Sequence, residues 1–223
     1  MKTQRSKGDK DVDHASESVS RALLEAVGSG NATLVVNLLD EGADVDRSFA
    51  RDDAFSLLLA CGEFLNVNVQ DVPDYLNICR ILLAYGADVD APVCREGQTV
   101  TLLQFIGMGD DDHRGRSMTE VLIQYGADVN GVDRNGCSPL MHFCFKGHVG
   151  CAEVLLRNGA DVNEISANGG STALLVAASK CHADLVQLLL MYGADRKLVN
   201  DDGVSPMFTP APRVGALLSS KCF

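Results

Sequence analysis

Cys137, His142, Cys144, His148 and Cys151 fall within fifteen residues of one another, and Cys144, His148 and Cys151 are spaced i, i+4, i+7. On one unbroken helix that spacing puts a thiolate, an imidazole and a second thiolate on a common face, the donor set of a tetrahedral zinc site. A cysteine near a histidine is also the pair that a nucleophilic enzyme uses. Gly147 stands inside the set, however, and interrupts the helix that the spacing requires. The nucleophile reading lacks a third group to orient the histidine and a turn to hold an oxyanion. Asp110-Asp111-Asp112 has the look of a cation loop, but a calcium loop read from Asp110 puts Arg114 at its fifth place and Val121 at its twelfth, where oxygen ligands are required. Gly28-Ser29-Gly30 and Gly107-Met108-Gly109 follow no strand and lack the Lys-Ser/Thr or third glycine of a phosphate cradle. No catalytic residue, metal or cofactor is expected.

The elements that position these side chains are announced by a recurring phrase. Gly42-Ala43-Asp44, Gly86-Ala87-Asp88, Gly126-Ala127-Asp128, Gly159-Ala160-Asp161 and Gly193-Ala194-Asp195 each follow an aliphatic pair such as Leu38-Leu39 or Leu155-Leu156, and their glycines are separated by 44, 40, 33 and 34 residues. A unit of about 33 residues is a single supersecondary element that cannot bury its apolar face alone, so neighbours stack into a row. Ser138 and Thr172 are placed to cap a first helix, and Pro139 at its first position has no amide hydrogen to lose. The glycine of each phrase sits where a second helix ends in a left-handed residue. Small residues such as Ala26, Ala60 and Ala177-Ala178 let the two helices approach, while Leu34-Val35 and Leu185-Val186 recur at helical spacing and face the next unit.

The fourth unit reads Asp133-Arg134-Asn135-Gly136-Cys137-Ser138-Pro139-Leu140-Met141-His142-Phe143-Cys144-Phe145-Lys146-Gly147-His148, then Val154-Leu155-Leu156-Arg157-Asn158-Gly159-Ala160-Asp161-Val162-Asn163. This resembles the ankyrin repeat, whose pattern runs Asp-x-x-Gly-x-Thr-Pro-Leu-His-x-Ala-Ala-x-x-Gly-His and ends Leu-Leu-x-x-Gly-Ala-Asp-x-Asn. The fifth unit repeats it with Gly170-Ser171-Thr172-Ala173-Leu174, Ala177-Ala178 and Cys181-His182. The resemblance covers residues 19 to 207 and implies an all-α repeat solenoid of stacked helix-turn-helix units with short β-hairpin finger loops. It also removes the zinc reading, because Cys144 takes the small buried position of Cys61 and Ala178, where cysteine acts as a compact hydrophobe. Asn130 and Asn163 look, by resemblance, like asparagines of the kind hydroxylated in this family, and equally like the asparagines that close the repeat turn.

Composition agrees with a folded, intracellular chain. With 223 residues and 46% hydrophobic side chains there is enough for one sizeable domain. We read residues 1–18 as a disordered polar arm without a signal peptide, and 19–223 as the repeat domain, with units at about 19–46, 47–90, 91–130, 131–163 and 164–196 and a partial cap at 197–223. In the cap, Pro210 and Pro212 confine any helix to Val214–Ser220. No apolar run reaches the ~18 residues of a membrane span, and eight unpatterned cysteines suit a reducing compartment, cytoplasm or nucleus. The net charge of −11 disfavours nucleic acid and suggests a protein partner with a basic face. Neither a membrane nor a small-molecule substrate is expected.

Two surfaces are candidates for that partner. Against the fourth unit, the second carries ten extra residues close to Glu63–Pro73, including Glu63 and Asp71, and the third about six around Gly107–Arg116, including Asp110, Asp111, Asp112 and His113. Both additions fall between the helices of a unit, so as loops they emerge on one edge, and loops on one face often mark a binding face. They are equally two tolerated surface loops. The other surface follows from the resemblance: the groove of finger loops and first helices, carried here by Arg134, Asn135, Cys137, Phe145 and Lys146, and by Ala167, Asn168, Ser171, Ser179 and Lys180. Phe145 is the expected anchor. The function so implied is a non-enzymatic scaffold, adaptor or inhibitor. The alternatives are a recognition subunit of an enzyme complex and the ankyrin portion of a larger multidomain protein.

Overall fold

The computed structural model of the chain describes residues 7–46, 56–66, 74–95, 98–208 and 212–219. They fall into two compact units, Met1–Val89 and Asp90–Phe223.

The first unit is built from α1 (Lys7–Gly28), α2 (Ala32–Asp40), α3 (Ser56–Asn66) and α4 (Tyr75–Ala84), paired as α1 with α2 and α3 with α4. Its core is Leu23, Val27, Val35, Leu57, Ile78 and Leu82, the aliphatic side of each helix. The Tyr75 hydroxyl donates to the Gly28 carbonyl at 3.0 Å, tying the start of α4 to the end of α1. The polar arm expected to be disordered over 1–18 is helical from Lys7 onward. Once the buried half of α1 around Leu23 and Val27 has nucleated the helix, each further residue adds a hydrogen bond at little cost.

The second unit begins with a finger, strands β1 (Val93–Arg95) and β2 (Gln98–Val100), paired antiparallel with Val93 opposite Val100. Three helical pairs follow: α5 (Leu102–Met108) with α6 (Asp112–Gln124), α7 (Pro139–Lys146) with α8 (Val149–Arg157), and α9 (Ala173–Ser179) with α10 (Ala183–Met191). First helices pack on first helices and second on second, α5 on α7 on α9 and α6 on α8 on α10, around Leu103, Ile106, Met118, Leu122, Leu140, Phe143 and Leu155. A 3-10 turn (Pro206–Phe208) and α11 (Pro212–Ser219) lie against α9 and α10, with Val214 and Leu218 buried. The α11 helix starts two residues earlier than expected, at Pro212, which the first turn of a helix tolerates. Arg196 Nη1 donates to the Leu218 carbonyl at 2.9 Å near the end of that helix. No described helix is long and apolar enough to cross a membrane.

The recurring phrase does what its residues require. The five glycines have φ between +86° and +94°, and after α6 the amides of Gly126 and Ala127 turn back onto the carbonyls of Ile123 and Leu122 at 3.0 Å, closing the helix end. The aspartate amide of each phrase after the first is then accepted by the side chain that stands two places after the preceding phrase's aspartate. Within the second unit, Asp128 N donates to Asp90 Oδ1 at 3.1 Å, Asp161 N to Asn130 Oδ1 at 2.8 Å and Asp195 N to Asn163 Oδ1 at 2.7 Å. Asn130 and Asn163 also donate, to the carbonyls of Gly159 and Gly193, each at 3.3 Å. These asparagines close the turn and join neighbouring repeats at once.

Candidate functional site: the cleft between the fourth and fifth repeats

The fourth and fifth fingers are each organised by one buried polar side chain. In the fourth, Asp133 Oδ1 accepts the amides of Asn135 and Cys137 at 2.8 and 2.9 Å, and Oδ2 meets His142 Nε2 at 3.1 Å. In the fifth, Ser166 Oγ accepts from Ser171 N at 2.9 Å and donates to the Asn168 carbonyl at 3.1 Å. The two tips then join: Asn168 N donates to the Asn135 carbonyl at 3.1 Å, and Asn168 Nδ2 to Asn135 Oδ1 at 3.0 Å. A Cβ on Gly136 would stand 2.3 Å from the Ala167 nitrogen, so only glycine permits that approach. Asn135, Ala167 and Asn168 are thus engaged in setting the finger geometry.

Below the fingers, α7 and α9 frame an open cleft of about 140 Å³ lined by Cys137, Met141, His142, Phe145, Ser166, Ser171 and Val176. Phe145 is 53% exposed and Lys180 Nζ lies 4.0 Å from its ring centroid. Lys146, the next residue, donates to Asp110 Oδ1 at 2.8 Å, and that hydrogen bond holds the Asp110 carboxyl below the usual aspartate range. Of the expected binding residues, the structure brings Cys137, Phe145 and Ser171 to one cleft, with Lys180 on its rim. Arg134, exposed, stands on the fourth finger, and Ser179, exposed, turns its hydroxyl onto the Val176 carbonyl at 2.8 Å.

Sequence reasoning missed Met141, His142, Ser166 and Val176 in the cleft, and it missed a row of apolar side chains on the fingers. Val132, Ile165 and Val199 are each 51% exposed. All three stand four places after the aspartate of their phrase, so aligning the units on that aspartate would have shown them.

The expected insertion sites are placed differently. Glu63 is half-buried in α3, and Asp71 lies outside the described residues. Asp110 and Asp111 occupy the short junction between α5 and α6, but Asp112 and His113 open α6, which has 13 residues against 9 in α8. Much of the third unit's addition is therefore helix and not loop. Asp111 Oδ1 accepts the Arg114 amide at 3.0 Å as N-cap, Asp112 adds an acid to the first turn, and Arg116 pairs with Glu120 one turn on at 3.2 Å. The Asp112 carboxylate reaches the start of α8, where it accepts the amides of Gly150 and Cys151 at 2.9 and 3.0 Å. His148 Nε2 meets the Gly109 carbonyl at 2.9 Å. The segment is bound along the next repeat.

The cysteine and histidine cluster is accounted for by packing. Burial pushes the thiols of Cys144 and Cys151 far up, with Asp112 adding to the effect at Cys151. Cys137 is raised by burial and then by Asp133, the opposite of what a nucleophilic thiolate requires. Asp133 does orient His142, yet it spends its other oxygen on finger amides. Among the described residues no group of three His, Cys, Asp or Glu side chains is arranged to hold a metal ion. Thr172 caps α9 as expected, its Oγ1 accepting from Leu175 N at 3.3 Å, whereas Ser138 makes no side-chain cap bond at α7. In the third repeat Thr101 and Gln104 form a reciprocal cap, and the buried Gln104 also donates to the carbonyls of Gly131 and Cys137 at 2.9 and 3.1 Å, holding the fourth finger.

Stacked helical pairs, left-handed glycines, paired fingers and asparagine bridges define an ankyrin-repeat fold, and the comparisons agree. The family model for ankyrin repeats (3 copies) matches residues 112–201. The chain is 31% identical over 147 residues to the "Ankyrin repeat, SAM and basic leucine zipper domain-containing protein 1" of Bos taurus, and 32% identical over 145 residues to the protein of that name from Ovis aries. These alignments cover 66% and 65% of this chain and 27% of each relative, so the match spans about a quarter of the relatives' length. The crystal structure of an ankyrin repeat domain from Acinetobacter baumannii AYE shares the fold, with a TM-score of 0.71 and 22% identity over 88% of this chain and 95% of that one. Residues 112–201 match ankyrin repeats, which are protein–protein interaction modules.

Proposed function

We propose that this chain is a non-enzymatic adaptor or inhibitor whose protein partner docks on the fingers and first helices of the fourth and fifth repeats. The observation that carries the reading is the half-exposed Phe145 at an apolar cleft, with Lys180 on its ring. A large aromatic side chain left this open beside a preformed hollow is the usual centre of an interface. Val132, Ile165 and Val199 extend the apolar surface along successive fingers. Arg134, Ser171 and Ser179 supply polar contacts around it. The partner is a protein and not nucleic acid, a membrane or a small molecule, and the setting is cytoplasm or nucleus.

The test is co-purification from native extract with the intact chain and with Phe145→Ala and Ile165→Asp, each checked by circular dichroism. The reading expects a recurring partner that both substitutions remove without loss of helicity. A partner retained by both variants would overturn it. A second reading, the ankyrin portion of a larger multidomain protein that delivers a target to an associated activity, is favoured by one observation. The relatives' names include SAM and basic leucine zipper domains, and this chain aligns with 27% of their length.

A further inference from the structure

We infer that the cleft between the fourth and fifth repeats receives a protein segment in which an apolar side chain stands next to an acidic one. The inference rests on the groove reading above and adds the chemistry of the occupant. At about 140 Å³ the hollow lined by Met141, Phe145 and Val176 suits one side chain. Clefts that take whole small ligands run to roughly 300 Å³ and more.

The charge at the rim selects what flanks that side chain. Lys146 and Lys180 both stand close to Phe145, one beside it in sequence and one over its ring. Lys146 is already matched by Asp110 at 2.8 Å. The Lys180 ammonium is matched by the ring face, 4.0 Å to the centroid, and by no carboxylate among the described residues. Asp133, bonded to the cleft-lining His142, is spent on that ring and on two finger amides. Contact with Phe145 holds the ammonium against the ring that lines the hollow. A partner carboxylate arriving there gains a charge-assisted hydrogen bond, whereas a partner lysine or arginine meets like charge. The net charge of −11 acts from farther away and is screened over about 8 Å at physiological ionic strength. At contact range the sign belongs to Lys180, and the favoured occupant is the reverse of the basic partner that whole-chain charge suggests.

The experiment is selection of random dodecapeptides displayed on phage against the intact 223-residue chain, with depletion on Phe145→Ala, followed by fluorescence polarisation of the synthesised consensus peptide. The expected consensus places Asp or Glu within two positions of a Leu, Ile, Met or Phe. Its affinity should fall about tenfold on Lys180→Glu, stay within about twofold on Lys180→Arg, and recover on Lys180→Glu when the peptide's acid is replaced by lysine. Phe145-dependent peptides that are basic or neutral, or an affinity indifferent to Lys180→Glu, would overturn the inference and leave the groove reading standing. Failure to obtain any Phe145-dependent peptide would overturn both. Phe145 and Lys180 are exposed, and circular dichroism verifies that each variant keeps its helices.

Discussion

Asp112, in the first turn of α6, receives the backbone amide of Cys151 at the start of α8 at 3.0 Å, and the Gly150 amide at 2.9 Å on its other oxygen. Neither His148 nor any side chain of α8 caps that helix, so the cap is supplied from the preceding repeat. The carboxylate also complements the positive end of the helix dipole.

Replacing it should therefore cost more than an ordinary surface change. Asp112→Ala is expected to destabilise the chain by about 2 kcal/mol, the sum of a lost charged cap and two unmet amides. Asp111→Ala, which uncaps only its own helix, should cost about 1 kcal/mol. Urea unfolding of the two variants provides the comparison, and equal losses would contradict the inter-repeat cap.

Gln104 serves two repeats at once. Gln104→Leu keeps the buried volume but strands the Gly131 carbonyl and the Thr101 amide and removes one of the two donors to the Cys137 carbonyl, and the expected loss is about 2 to 3 kcal/mol. Amide hydrogen exchange should show the fourth finger opening, with faster exchange at Cys137 than in the intact chain.

Cys181 holds a position that glycine fills in the preceding repeat. Its φ is +62°, against +89° for Gly147, and it is the described non-glycine residue with positive φ. A left-handed conformation costs an L-residue about 1 to 2 kcal/mol. Cys181→Gly is expected to raise Tm by about 2 to 4 °C. Cys181→Val, which adds a branch at Cβ, should lower it, and differential scanning calorimetry separates the outcomes.

The thiols should sort by burial. Cys181 is exposed, Cys137 half-buried, and Cys61, Cys79, Cys144 and Cys151 buried. Cys79 is raised by its hydrogen bond with Cys61, 3.8 Å away, and then by burial. Since the thiolate is the reacting form, iodoacetamide at pH 8 should, among these six, label Cys181 first and Cys137 slowly. The four buried cysteines should react only after denaturation, as read by peptide mass spectrometry.

Much of the fold was legible because the repeat encodes it locally. A left-handed helix end needs glycine, a bridging turn needs an amide that both donates and accepts, and a capped start needs a hydroxyl, so Gly126, Asn130 and Thr172 each declare their role without tertiary context. The site was legible at Phe145, Cys137, Ser171 and Lys180 because the same register carries over. The additions were harder to read. Asp110-Asp111-Asp112 is acidic enough for a loop, and nothing local reveals that Asp112 has the start of α8 to cap, a partner 38 residues away. Ser138 fails in the other direction: its type promises a cap, and the folded chain leaves its buried hydroxyl without a hydrogen-bond partner among the described residues. The apolar row of Val132, Ile165 and Val199 was present in the sequence, in register with the aspartate of each phrase, but that register does not say that each side chain stands half exposed.

The closeness of Gly136 to Ala167, with the backbone and side-chain bonds between Asn168 and Asn135 beside it, means that the interval between these two neighbouring fingers is set by Gly136 and the asparagine pair. Drift at Arg134, Cys137 or Ser171 can rewrite what this surface recognises while leaving its pitch untouched. In that sense the molecule is a ruler with exchangeable markings: new partners can be acquired one side chain at a time, provided that they are read at the same step.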